Sequence, residues 1–130
     1  MPISHHIDEA RRILHIRLSS TVSGAEFRTF ASKLYGGRPD LFEFACILDL
    51  LQFEGDVSYA DVIPLQENYA KVRTFGPTRP GFILTDDPNF HFWAAALDEQ
   101  FPGRKHYLSP SFEQALLRLD EWRRENNGWQ

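Results

Sequence analysis

One cysteine and one methionine in 130 residues leave this chain without any internal disulfide, so the fold is held by packing alone and a reducing, cytoplasmic setting is expected. Long apolar runs are missing as well. The opening MPISHHIDEARRILHI lacks the core of a signal peptide, and no later segment reads as a membrane span, so stable membrane insertion is not expected. Nor is there a cationic excess: fourteen Lys and Arg face eighteen Asp and Glu, a net charge of −4, and the basic residues are scattered. Such a surface has no general attraction for phosphate backbones, which sets nucleic acid aside as a partner. Gly-x-Ser-x-Gly, Gly-x-Gly-x-x-Gly, phosphate-loop, Cys-x-x-Cys and His-x-x-x-His patterns are all absent. Catalysis is therefore unsupported, and neither a cofactor nor a metal is expected.

With no repeat, low-complexity tract or linker, residues 1–130 read as one domain, with 126–130 expected to fray. A chain of this length can bury roughly two-thirds of its unfolded surface without staples. Ile3 to Ile7 and Arg12 to Leu18 read as two strands joined by the polar Asp8–Arg11 connection. Leu14, Ile16 and Leu18 share one face of the second strand and are assigned to the core, while Ile13, His15 and Arg17 share the other. Ser23 and Glu26 have capping-box spacing, and Phe27, Phe30, Ala31 and Leu34 follow at helical intervals until Gly36-Gly37.

Phe44 to Leu50 is nearly continuous apolar chain, the pattern of a strand covered on both faces. A polar loop, Gln52 to Val57, leads to a second capping box at Ser58–Asp61. The helix beyond it carries Val62, Leu65, Tyr69 and Val72, and Pro64 predicts a kink or a later start. Gly81 to Thr85 is the fourth strand, and Asp87-Pro88 opens a helix carrying Phe90, Trp93, Ala94, Leu97 and Phe101. Arg104 to Leu108 is the last strand, and Ser109-Pro110 starts a final helix with Phe112, Ala115, Leu116, Leu119 and Trp122 on one side. The expected fold is α/β: a mixed five-stranded sheet with four helices in the order ββαβαβαβα, parallel from the second strand onward.

Several side chains invite a chemical reading. Strand ends gather ligands in open α/β sheets, and Asp49, Asp86, Asp87 and Ser109 would lie near that rim. A hard cation would suit such carboxylates, but Asp87 already has a capping role. His6 and His15 can approach diagonally across the first two strands, yet no third ligand is indicated, so outer-face polar positions are the simpler account. His91 and His106 are assigned to the surface. Cys46, in an apolar run, is expected to act as a small buried hydrophobe. Eleven Phe, four Tyr and three Trp are more aromatic side chains than a core this small readily hides. Phe53, Tyr59, Tyr69, Phe75 and Phe82 could line an apolar groove beside the second helix, or be ordinary core.

The element order, the strand Cys46-Ile47-Leu48-Asp49-Leu50, and the ending Tyr107-Leu108 followed by Ser111-Phe112-Glu113-Gln114-Ala115-Leu116 together resemble the STAS-like proteins, specifically the SpoIIAA-like branch related to anti-sigma-factor antagonists. The resemblance spans nearly the whole chain. It implies a non-catalytic regulatory or protein-interaction domain whose partner binds the second helix and the loop before it, around Asp56, Val57, Tyr59 and Asp61. In signalling members a serine in an Asp-Ser-Ser-Gly-like segment is phosphorylated. Ser58 falls beside that position, but the Ser-Ser-Gly core is absent, and three nearby acidic residues (Glu54, Asp56 and Asp61) disfavour a phosphate there. An ordinary helix cap is the simpler role for Ser58. The alternative is a carrier or sensor of a small apolar, lipid-like ligand, since SpoIIAA-like proteins resemble lipid-binding folds. Exposed edge strands leave a homodimer open.

Overall fold

The computed structural model describes residues 3–55, 67, 79–88 and 90–125. Five strands, β1 (Ile3–Asp8), β2 (Ile13–Ser20), β3 (Ala45–Phe53), β4 (Arg79–Leu84) and β5 (Arg104–Ser109), form one sheet in chain order. β1 is antiparallel to β2, and every later pair is parallel, the mixed sheet expected from a hairpin followed by crossovers. Three α-helices stand among the described residues: α1 (Gly24–Gly37), α2 (Phe90–Gln100) and α3 (Phe112–Glu125). Four were expected; of the one beyond Ser58 only Glu67, which is helical, falls among the described residues. No helix among those described is long and apolar enough to cross a membrane.

Local chemistry explains most boundaries. Asp8 accepts from the Arg11 amide (3.0 Å) to close the hairpin, and Arg12 takes a left-handed φ of 53° there. Ser23 Oγ accepts from the Glu26 amide while Glu26 reaches back to the Ser23 amide, so α1 opens on the full capping box. Other edges differ from the sequence reading. β3 continues through Gln52 to Phe53, where a loop was expected, because a register shift between Arg17 and Ser19 keeps β2 alongside it and pairs Ser19 with Gln52 and Ser20 with Phe53. A 3₁₀ turn at Pro39–Glu43, unforeseen, buries Leu41 and Phe42. Ser111, not Ser109, caps α3 by accepting from the Gln114 amide (3.2 Å), whereas Ser109 is still in β5. α2 begins at Phe90 because the preceding turn closes with i→i+3 bonds, Phe90 to Asp87 and His91 to Pro88.

The sheet is covered on both faces. α1 and α2 pack on the side of Leu14, Ile16, Leu18, Leu50 and Ile83. α3 covers Ile13, Ala45, Ile47, Phe82 and Leu84, with its own Ala115 and Leu119 fully buried among them. Ile13, assigned to the non-core face of β2, is therefore buried as deeply as Ile16.

Candidate functional site

A cavity of about 320 Å³ opens between α1, α2 and the sheet. Its floor is the α1-facing side of the parallel strands, with Cys46 and Leu48 from β3 and Gly81 and Ile83 from β4. α1 contributes Phe27, Ala31 and Tyr35, and α2 contributes Trp93 and Leu97. Helical spacing aims each of these inward: Phe27, Ala31 and Tyr35 stand four residues apart, as do Trp93 and Leu97. Tyr35 is fixed by stacking on Phe42, ring centroids 4.1 Å apart, and by a side-chain hydrogen bond with Cys46.

The polar groups of the cavity cluster at one end. Arg104, only 8% exposed, donates through Nη1 to the Phe42 carbonyl (2.5 Å) and through Nη2 to the Phe44 carbonyl (3.0 Å). Arg79, its register partner in β4, donates to the Glu43 carbonyl (3.1 Å). Two arginines thus hold the 3₁₀ turn against the sheet. His106 lies two residues on, directly opposite Gly81. A Cβ on Gly81 would stand 2.8 Å from the His106 ring, so the glycine is what lets the imidazole lie across the floor. Asp98 from α2 holds that ring, accepting from Nδ1 (2.8 Å) and from the His106 amide (2.6 Å), while its other oxygen meets Lys105 (3.1 Å).

Electrostatics follow from this burial. His106 is pushed down to about 4 by desolvation and by the Arg104 charge, against the pull of Asp98. The imidazole is neutral at physiological pH, with Nδ1–H donated to Asp98 and the Nε2 lone pair left over. Asp98 is held below its usual range: burial alone would raise it, but the hydrogen bonds from His106 and Lys105 outweigh that. Burial pushes the Cys46 thiol up, with Arg104 opposing, and Tyr35 is raised for the same reason. A raised thiol in contact with a phenol is a poor nucleophile.

The assignment of His106 to the surface is thus overturned; its partners Asp98 and Gly81 come from other elements, and no local spacing announces them. Of the groove residues foreseen, Phe53 lines the cavity. Phe82 borders it, but its ring stacks on Tyr107 in the cluster beneath α3, centroids 5.7 Å apart. Tyr59, Tyr69 and Phe75 lie outside the described residues, as do Ser58 and the loop positions Asp56, Val57 and Asp61.

The expected acidic rim does not assemble. Asp49 sits inside β3, 5% exposed and on the α3 side, where it accepts from Arg17 Nε (3.3 Å) and the Leu51 amide (3.1 Å), with His15 Nε2 at 3.8 Å. Asp86 and Asp87 are exposed beyond β4, while Ser109 is buried and donates to the Ser111 carbonyl (3.2 Å). Extension of β3 past Asp49 is what removes it from the rim. His6 and His15 are direct register partners, not diagonal ones, and His15 is half-buried, stacked on Phe112 at 4.7 Å. No group of three or more His, Cys, Asp or Glu among the described residues is arranged to hold a metal ion.

No family model and no curated protein matches the chain. A solved structure does: an uncharacterised protein of the DUF3478 family from Shewanella loihica PV-4, described as having a SpoIIAA-like fold, superposes with a TM-score of 0.64 over 90% of this chain and 91% of that one, at 12% sequence identity. The fold is SpoIIAA-like. At that identity the likeness concerns architecture alone. In this SpoIIAA-like sheet the cavity lies on the face of α1 and α2.

Proposed function

We propose that this domain binds a small, largely apolar molecule in the cavity between α1, α2 and the sheet, as a carrier or sensor and not as an enzyme. The carrying observation is the cavity itself. Its volume, about 320 Å³, lies at the lower end of the roughly 300–1,000 Å³ of small-molecule sites, and its lining is predominantly aliphatic and aromatic with polar groups gathered at one end. The raised Cys46 thiol supports a non-catalytic role. The protein-interaction reading through residues 55–61 draws its support from the likeness of fold.

Native mass spectrometry of gently purified protein, paired with intrinsic tryptophan fluorescence, to which Trp93 in the cavity wall contributes, during titration with decanol, tests the proposal. A co-purifying small-molecule mass, or a saturable change in that emission, is the expected outcome. A clean unliganded mass together with an unchanged emission would sink it.

A further inference from the structure

We infer that the molecule this cavity takes is a monocarboxylic acid, its carboxylate meeting Arg104 and its apolar tail lying between the aromatic walls of α1 and α2. The inference rests on the reading of the cavity as a ligand site and specifies the head group.

Arg104 is the reason. A guanidinium is charged at any ordinary pH and carries five N–H donors. Here it is 8% exposed, and its side-chain bonds run to two neutral acceptors, the carbonyls of Phe42 and Phe44. No carboxylate among the described residues forms an ion pair with it. Two carbonyl dipoles satisfy donors but do not cancel a unit charge, and a buried charge is costly unless matched by an opposite one. Asp98, the carboxylate that holds the neighbouring His106, is already committed to Lys105 and to His106. His106, whose Nδ1 is held by Asp98, offers the cavity a lone pair and not a proton, so among the described residues that line the cavity Arg104 is the one cation.

An anion entering from the cavity would complete that pair. A single cation with two of its donors occupied suits a single negative charge better than a phosphate dianion. The rest of the lining has little to offer a polar ligand: Leu48, Ile83, Phe27 and Trp93 call for hydrocarbon. An acid head on an apolar tail is the chemistry that satisfies both ends.

A matched series of ligands on the wild-type protein tests this directly: decanoate, decanol and methyl decanoate, titrated at near-neutral pH and followed by intrinsic tryptophan fluorescence. Decanoate should bind about tenfold or more tightly than the alcohol or the ester, because a charge-assisted bond in a desolvated site is worth more than a neutral one. Arg104→Met should abolish the preference, bringing the affinity for the acid down to that for the alcohol. Should that variant fail to fold, the wild-type series still separates the acid from the alcohol and the ester. Equal affinity for acid, alcohol and ester would overturn the carboxylate assignment but keep the apolar site; binding of none of the three would remove the site itself.

Discussion

The two faces of this sheet are built from the same strands, yet one packs solid and the other is hollow. Beneath α3, Ile13, Ala45, Ile47, Leu84, Ala115 and Leu119 close on one another with almost no exposure. Beneath α1 and α2, the alternate residues of the same strands, Cys46, Leu48 and Gly81, floor a cavity. Side chains alternate along a strand, so a single run such as 45–50 supplies both surfaces at once. What separates them is size and position. On the α3 side, small residues (Ala45, Ala115) let the helix approach closely; on the other, Gly81 admits an imidazole where a packed aliphatic would otherwise stand. Buried charge divides in the same way. Asp49 on the α3 side has Arg17 as its partner, whereas Arg104 on the cavity side has carbonyls.

Truncation on each face would break or sharpen this contrast most directly. Leu119→Ala removes a fully buried side chain from the solid face and should cost about 2–5 kcal/mol, the range for leucine deletions in tight cores. Leu48→Ala, at a half-buried position already facing open volume, should cost roughly 1–2 kcal/mol, since fewer contacts are lost. Urea denaturation of the two variants beside the parent measures both. Equal losses would mean that the faces are packed alike and that the cavity is not open in solution.

Acid titration probes the histidine of each face. The unfolded chain takes up the His106 proton near pH 6.5 and the folded chain only near pH 4. Stability present above about pH 6.5 should therefore fall as the pH drops toward 4, by up to about 3 kcal/mol. His15 is lowered in the same direction, by burial first, with Asp49 opposing, and adds to the same slope. Asp98 contributes beneath that window, because a carboxylate held below its unfolded value of 3.8 loses its advantage only on further acidification. Thermal midpoints across this range, compared with those of His106→Gln and His15→Gln, check the division. The larger part of the slope should vanish with His106; if His15→Gln flattens it more, the cavity-side imidazole is not desolvated as described.

Much of this architecture was legible in the sequence because it rests on local rules. Ser23 and Glu26 announce their helix by spacing, the 44–50 run announces a strand covered on both sides, and the hairpin is written in Ile3–Leu18. The polar end of the site was not legible, for a reason its residues make plain. His106 is buried by Gly81 across one strand gap and by Asp98 from another element, and Arg104 by carbonyls of a turn sixty residues earlier. Each contact depends on tertiary register, which no local period encodes. Asp49 misled for a related reason. Its place at the rim assumed that β3 ends at Leu50, and a register shift in β2 carries the pair three residues further.

Filling the hollow face is the mildest change and the most telling for function. Ala31 on α1 is buried and lines the cavity. In a tightly packed core, Ala31→Leu would force its neighbours apart and cost about 1–3 kcal/mol. Above an open volume, the added methylenes find space and gain contacts, which offsets the crowding near the backbone. The net change in stability should then stay within about 1 kcal/mol of zero. Ligand affinity should fall at least about tenfold, because the isobutyl group occupies the space the ligand would take. Measured together, urea midpoint and decanoate titration separate the cases: a destabilised variant that still binds would mean that Ala31 sits in packed core and that the ligand, if any, lies elsewhere.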